Sequence, residues 1–482
     1  MLRRLMGGAS RFAAAYVAVS MLAGGAHAHA LAQRYDLPLP LGFFLAAAGA
    51  AVVVSFVILA LFWRHGGARR KFFDRAFIRG TCPGAVVVCC QIFGVGVLTL
   101  IVAAGLFGNP STFKNIAPVA VWVIWWVGLS FISAFVGNIW ALINPWSALF
   151  GFAEWLARPS TRGLSLQRRY PTWLGAWPAC ALFLVFAWLE LVAPARDVPR
   201  NVAVAVAIYS VITWTGFVLF GREAWLKGGE AFSVAFELFG RFAPLHFINN
   251  GRWRWIVRPY AAGLLPREPL APSMTAFTLL MLATVTVDGI METPLWAATV
   301  EQLLAGRGGV EGNAAAYMFL TSALLIAGPL ALAGIYLATI AVMARMTGSS
   351  TAALAGLFVL SLVPISIAYH LSHYFSLLMV AGQFIIPLAS DPFGYGWDLF
   401  GTTLYRIDIG VVDAKLVWYL AVVAIVSGHI IAVWVAHVGA FAVFGDAGAA
   451  RRSQYPMLVL MVGYTMLSLW IIAQPIVEPG AK

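Results

Sequence analysis

The sequence predicts an all-α protein, a polytopic transmembrane helix bundle of about ten spans, and three observations carry that prediction. Hydrophobic residues make up 61% of the 482 and charged residues 10%, with a mean hydropathy of +0.86, far from water-soluble usage. Apolar runs long enough to cross a bilayer recur along the whole length, leaving no room for a separate soluble domain of ordinary size. Lysine and arginine crowd into alternate loops. The net charge of +12 therefore reads as membrane orientation, and nucleic acid is not expected as a partner.

Residues 1–30 read as a secretory signal peptide: Arg3, Arg4 and Arg11, an apolar stretch, then Ala-His-Ala-His-Ala with cleavage after Ala28 or Ala30. An uncleaved first helix is the alternative. Residues 31–482 then form one integral membrane domain. Ten spans follow at about 42–63, 83–107, 118–141, 173–193, 202–220, 273–296, 314–344, 352–388, 416–444 and 456–474. Of the 31 lysines and arginines, 20 fall in loops assigned to the cytoplasm, 8 in segments assigned outside and 3 in the leader. Both mature termini are then periplasmic and the membrane is the bacterial inner membrane. After the third span, Asn144-Pro145-Trp146 opens an aromatic amphipathic piece expected along the inner interface. Residues 221–272 are expected as a cytoplasmic interfacial segment, in which the interleaved Arg and Trp of GRWRWIVRP anchor to lipid headgroups rather than bind RNA. The four cysteines, Cys82, Cys89, Cys90 and Cys180, lie within or at the ends of spans without zinc or redox spacing, and read as small apolar residues.

Ionisable side chains at bilayer depth are costly and persist mostly where they pair, line a cavity or bind something. The sixth span carries Asp288 and Glu292 four residues apart, on one helical face. The eighth carries His370 and His373, three apart and also on one face, followed by Gln383; the ninth carries His429 and His437. At about 1.5 Å per residue, Asp288, Glu292, His370, His373 and His429 fit one layer opening to the periplasm. Imidazoles and carboxylates are the ligand set of a divalent transition metal such as zinc, manganese, iron or copper, and they serve equally as base, acid and charge partner without one. The loop after the eighth span adds Asp391 and Asp398 as candidates for the rim, whereas Asp408 and Asp413 read as turn formers. Serine-hydrolase elbows, phosphate loops, dinucleotide fingerprints and haem-attachment motifs are missing from the sequence.

Five stretches carry a resemblance: HALAQRYDLPLPLGFF from His29, NPW at 144–146, HLSHYFSLL at 370–378, ASDPFGYGWDLFGT at 389–402 and RSQYPMLVLMVGYT at 452–465. Together they resemble a bacterial family of polytopic membrane proteins named fenitrothion hydrolase, an organophosphate triester hydrolase. The likeness runs over the whole mature chain and supplies no catalytic motif, so the site residues rest on burial cost. It implies an apolar phosphorothioate triester as substrate and attack of water on phosphorus, with a nitrophenolate released. In that reading a metal sits on His370, His373 and His429 or Asp288. Glu292 or Asp391 acts as base or orients the water, and Tyr374, Phe375, Trp397 and Trp418, with Gln383 and Asp398, bind the ester. The alternatives are a proton- or metal-ion-linked transporter and a membrane subunit acting with a partner protein. A narrower copper site would use the amine and imidazole of a mature N-terminal His29.

Overall fold

The structure, a computed structural model, describes residues 37–62, 78–157, 164–265, 268–305, 309–444 and 446–476. The leader, His29 and most of the 64–82 loop lie outside the described residues. The chain is a multi-pass helical membrane protein. Among the described residues, nine helices have the length and apolarity to span: α1 (Leu41–Phe62), α2 (Gly84–Phe107), α3 (Ile116–Phe135), α6 (Pro199–Phe220), α9 (Pro272–Met291), α11 (Ala314–Thr347), α12 (Thr351–Ser390), α13 (Ala414–Val443) and α14 (Ala447–Ile476). Shorter helices are α4 (Pro145–Leu156), α5 (Trp177–Leu191), α7 (Arg222–Gly228), α8 (Ala231–Gly240) and α10 (Pro294–Leu304).

The expected span at 173–193 is α5, a helix of only 15 residues. Gly175 in a left-handed turn (φ +44°) and Pro178 near the first turn set its start, and the chain leaves the helix before Pro194. At about 1.5 Å per residue it reaches roughly 22 Å, short of a bilayer core of about 30 Å. It packs on α8, itself ten residues long.

α8 departs from the interfacial position expected for residues 221–272. Eight of its ten residues are buried, with Phe232, Phe236 and Phe239 set among Trp125, Trp126, Phe186 and His370. The physical reason is that its polar ends are satisfied inside the protein. At the N-terminus the fully buried Glu230 accepts the backbone N–H groups of Phe232 (2.9 Å) and Ser233 (2.8 Å) and the Tyr209 hydroxyl (2.6 Å). At the C-terminus the Arg258 guanidinium donates to the carbonyls of Gly240 (3.1 Å) and Arg241 (3.2 Å). An anion at the first turn and a cation at the last match the helix dipole.

Within α3, residues Val119–Gly128 form a π-helix, and its wide turns bring the consecutive Trp125 and Trp126 both to the interior. In α12 the ladder tightens to a 3-10 turn at Val359–Leu362 just before Pro364, which has no N–H to donate. α13 approaches there on Gly428; a Cβ at that position would lie 2.5 Å from the Ala368 Cβ.

A three-stranded antiparallel sheet, β1 (Ile78–Thr81), β2 (Leu245–Asn249) and β3 (Trp253–Val257), in the order β1-β3-β2, closes one end of the bundle. The 391–413 loop lies at the other end. α9 and α12 run in the same direction between these ends, which sets Asp288 beside His373.

Glu230→Ala orphans several buried donors at once and is expected to cost about 2–4 kcal/mol. Glu230→Gln, which keeps an accepting oxygen, should retain most of the stability. Thermal denaturation of the detergent-purified protein, followed by size-exclusion chromatography, checks the order wild type, Gln, Ala.

Candidate functional site

The site is built on the last turn of α9. Asp288 and Glu292 both lie at the C-terminal end of that helix, where the backbone carbonyls already present negative potential, so each carboxylate there calls for positive partners. Gly289 makes the approach possible. A Cβ on it would lie 2.7 Å from the Tyr369 hydroxyl and from Ile471, so only glycine lets α9 close onto α12 and α14 beside Asp288. His373 Nε2 then lies 2.8 Å from Asp288 Oδ2, and the Tyr374 hydroxyl donates to the same oxygen at 2.6 Å. Among the described residues, Asp288, Glu292 and His373 form the group with potential metal-ligand atoms all within 4.8 Å of one another. His373 is 8% exposed and the two acids are half-buried.

Two charged residues join this group that the spacing argument did not name. Glu190, on the last turn of α5, lies close enough to feel the charges of Asp288, Arg196 and His373. Arg196, in the α5–α6 connection, donates from Nη1 to the Glu190 backbone carbonyl, and its charge reaches Glu292 as well. The signal for Glu190 was in the sequence: it is an acid inside the apolar run WPACALFLVFAWLELV, and the rule that flagged Asp288 applies to it equally. Arg196, in a polar connection, carries no such signal.

One turn deeper than His373, His370 is set edge-on against Tyr374 (ring centroids 4.7 Å), Trp126 (5.4 Å), Phe131 (5.7 Å) and Phe239 at 66° (5.7 Å). Its Nε2 is buried without a hydrogen-bond partner, and it lines a narrow cavity with Glu190, Trp126, Thr284 and Tyr374. That cavity has room for about one water molecule.

The structure brings together Asp288, Glu292, His373 and Tyr374, with His370 one turn below, and places the other nominated residues elsewhere. His429 turns to α14: its Nδ1–H donates to the Ile425 carbonyl (2.8 Å) and its ring faces Tyr464 at 6.2 Å. His437 pairs with Gln454 at 2.9 Å. Trp418 is fully buried against Phe44, and Phe375 is half-buried against the main core. Asp391 accepts the backbone N–H groups of Tyr395 (2.9 Å) and Gly396 (2.7 Å), and Asp398 accepts that of Thr403 (3.2 Å). Gln383 holds Asp408 through both its N–H and its carbonyl, at 2.9 Å each. Trp397, 43% exposed, stands beside Phe393 and Tyr395. These loop residues order the segment over the bundle mouth, and Tyr395 bonds across to the Phe107 carbonyl.

Comparison of the chain with protein-family models, with known proteins and with solved structures finds no match.

The chemistry open to the site follows from its donors. Two carboxylates and an imidazole with a tyrosine behind them can bind a divalent cation or exchange a proton. Tyr374→Phe removes the hydroxyl that donates to Asp288 Oδ2 and is expected to lower stability by about 2 kcal/mol. Gly289→Val, which drives α9 away from α12, should lower it by about 1–3 kcal/mol through overpacking. Melting of both purified variants checks this, and Gly328→Ala, facing Val287 from α11, separates general packing loss from loss at the site.

Proposed function

We propose that the chain is a membrane-embedded, metal-dependent hydrolase of apolar organophosphate or phosphorothioate triesters, the activity implied by its sequence resemblance, acting in the bacterial inner membrane with its site toward the periplasmic side. The observation that carries the reading is the convergence of Asp288, Glu292 and His373 at the end of the apolar helix α9. The donor set fits a divalent transition metal: one nitrogen and two carboxylate oxygens are borderline-hard ligands, and three protein ligands leave positions open, as catalytic sites do and closed structural sites do not. A metal held there by Asp288, Glu292 and His373 would supply Lewis acidity and lower the pKa of a water bound to it.

The chain's own residues have defined tasks in this reading. Tyr374 fixes Asp288 Oδ2 and thereby the orientation of the carboxylate toward His373. Glu190, the acid outside the three ligands, takes the proton of the attacking water as its oxygen bonds to phosphorus. The bond from phosphorus to the aryl oxygen then breaks, and the nitrophenolate leaves with the electron pair. Arg196 holds positive charge at the outer rim, where an anionic product departs. An aryl triester needs more room than one water, so substrate entry has to part α5 from α9 and α12. A lipophilic ester reaches that seam from the bilayer.

A second reading, transport of protons or metal ions, is favoured by one observation: the cavity beside the cluster fits a water-sized species. The two separate cleanly. Purified protein supplied in turn with zinc, manganese, iron or copper should bind about one ion per chain and release nitrophenolate from the triester. Asp288→Asn and His373→Ala should each lower metal content and reduce hydrolysis by about 100-fold or more. Hydrolysis indifferent to chelation and to both substitutions removes the hydrolase reading; ion uptake into proteoliposomes, lost in the same variants, establishes the transporter.

A further inference from the structure

The three-stranded sheet is not explained by the buried site. None of its side chains belongs to the hydrophobic core of the bundle. It sits where the ends of three spans, α2, α3 and α9, come together. Cys82, just before α2, extends the ladder through its N–H to the Trp253 carbonyl (2.9 Å). Leu245 donates to the Val136 carbonyl at the end of α3 (3.1 Å), and α9 begins shortly after β3.

Strand register divides the sheet into two unlike faces, because directly paired residues lie on the same side and neighbours along a strand on opposite sides. The pairs Ile78↔Val257↔Leu245, Gly80↔Trp255↔Phe247 and Trp253↔Asn249 place Ile78, Val257, Leu245, Trp255, Phe247 and Trp253 on one face. The Trp255 indole lies flat over Gly80, where an added Cβ would come within 2.6 Å of it, so the aromatic face is built rather than incidental. The pairs Arg79↔Ile256↔His246 and Thr81↔Arg254↔Ile248 make the other face. On it the exposed Arg79 and Arg254 are diagonal neighbours, about 7–8 Å apart at Cα, with Thr81 directly opposite Arg254. The exposed Arg252 stands at the β2–β3 turn. The strands and that turn contain no acidic residue.

We propose that this sheet is a docking surface for anionic phospholipid, standing edge-on to the bilayer so that Arg79 and Arg254 on one side bind the headgroup phosphate while Trp253, Trp255 and Phe247 on the other lie at headgroup depth. Two guanidinium groups at this separation can both reach one phosphate, and Thr81 offers a hydroxyl donor between them. Tryptophan belongs at headgroup depth, where its body is apolar and its N–H is wet. The end of the bundle on which the sheet sits carries most of the chain's cationic residues, and the anionic leaflet attracts such segments. An RNA or protein partner would use the arginines but leave the aromatic face uncovered; a lipid surface accounts for both faces at once. The surface is independent of the proposed hydrolase activity.

The test is native mass spectrometry of the detergent-purified full chain titrated with phosphatidylglycerol and, separately, with phosphatidylcholine. Phosphatidylglycerol should bind tighter. Each arginine removed in the Arg79→Gln and Arg254→Gln variants should weaken it by about five-fold, leaving phosphatidylcholine unchanged. A Lys114→Gln/Lys415→Gln double variant, altering exposed cations at the opposite end of the bundle, should not affect it. Unchanged phosphatidylglycerol binding in the arginine variants, equal losses in both sets of variants, or displacement of the lipid by an RNA oligonucleotide would overturn the proposal.

Discussion

Two carboxylates at the wrong end of an apolar helix are the constraint on which the site depends. Asp288 and Glu292 occupy the last turn and the C-cap of α9, where the helix dipole opposes them and half-burial limits their solvation. Positive and hydrogen-bonding partners have to come to them, and they come from two other elements: His373 and Tyr374 from α12, and Arg196 from the connection after α5. Gly289 and Gly428 are the close-contact points that let the helices draw together around those partners. A third acid, Glu190, enters the same field on the short α5.

The second organising feature is α8, a ten-residue helix buried inside the bundle with an anion at one end and a cation at the other. It is also a physical link. Arg258 follows directly on β3 and is bonded to the last carbonyls of α8, while Phe239 near that end packs on His370 at the cavity. The sheet's flank and the buried cavity thus both rest on the C-terminal end of α8.

Much of this was legible in the sequence, for reasons that can be stated. Apolar length gave nine spans as long helices, and the tenth is the shorter α5, trimmed by Gly175 and Pro178 but still running beside α9 from Ser273 at the sheet end to Glu190 near Asp288 at the other. The pairing of Asp288 with His373 followed from helical spacing and from α9 and α12 running the same way. Direction and depth were readable; rotation about the helix axis was not. That is why His429, at a compatible depth, turns out to face α14 and Tyr464. The polar flanks of α8 disguised it as an interfacial helix, because Glu230 and Arg258 carry charges whose partners lie far along the chain, Tyr209 among them. Asp391, Asp398 and Gln383 order the outer loop through its backbone, a role that spacing alone does not separate from ligation.

The claim that a coupled acid–imidazole centre holds α9 against α12 is tested most directly by a double-mutant cycle on Asp288 and His373, read as melting of the purified protein. The account predicts strong non-additivity, with Asp288→Asn/His373→Ala losing little more stability than the worse single variant and a coupling of about 1–3 kcal/mol. Losses that simply add, within about 0.5 kcal/mol, would mean that the two residues do not act as one unit, and the centre described here would not exist.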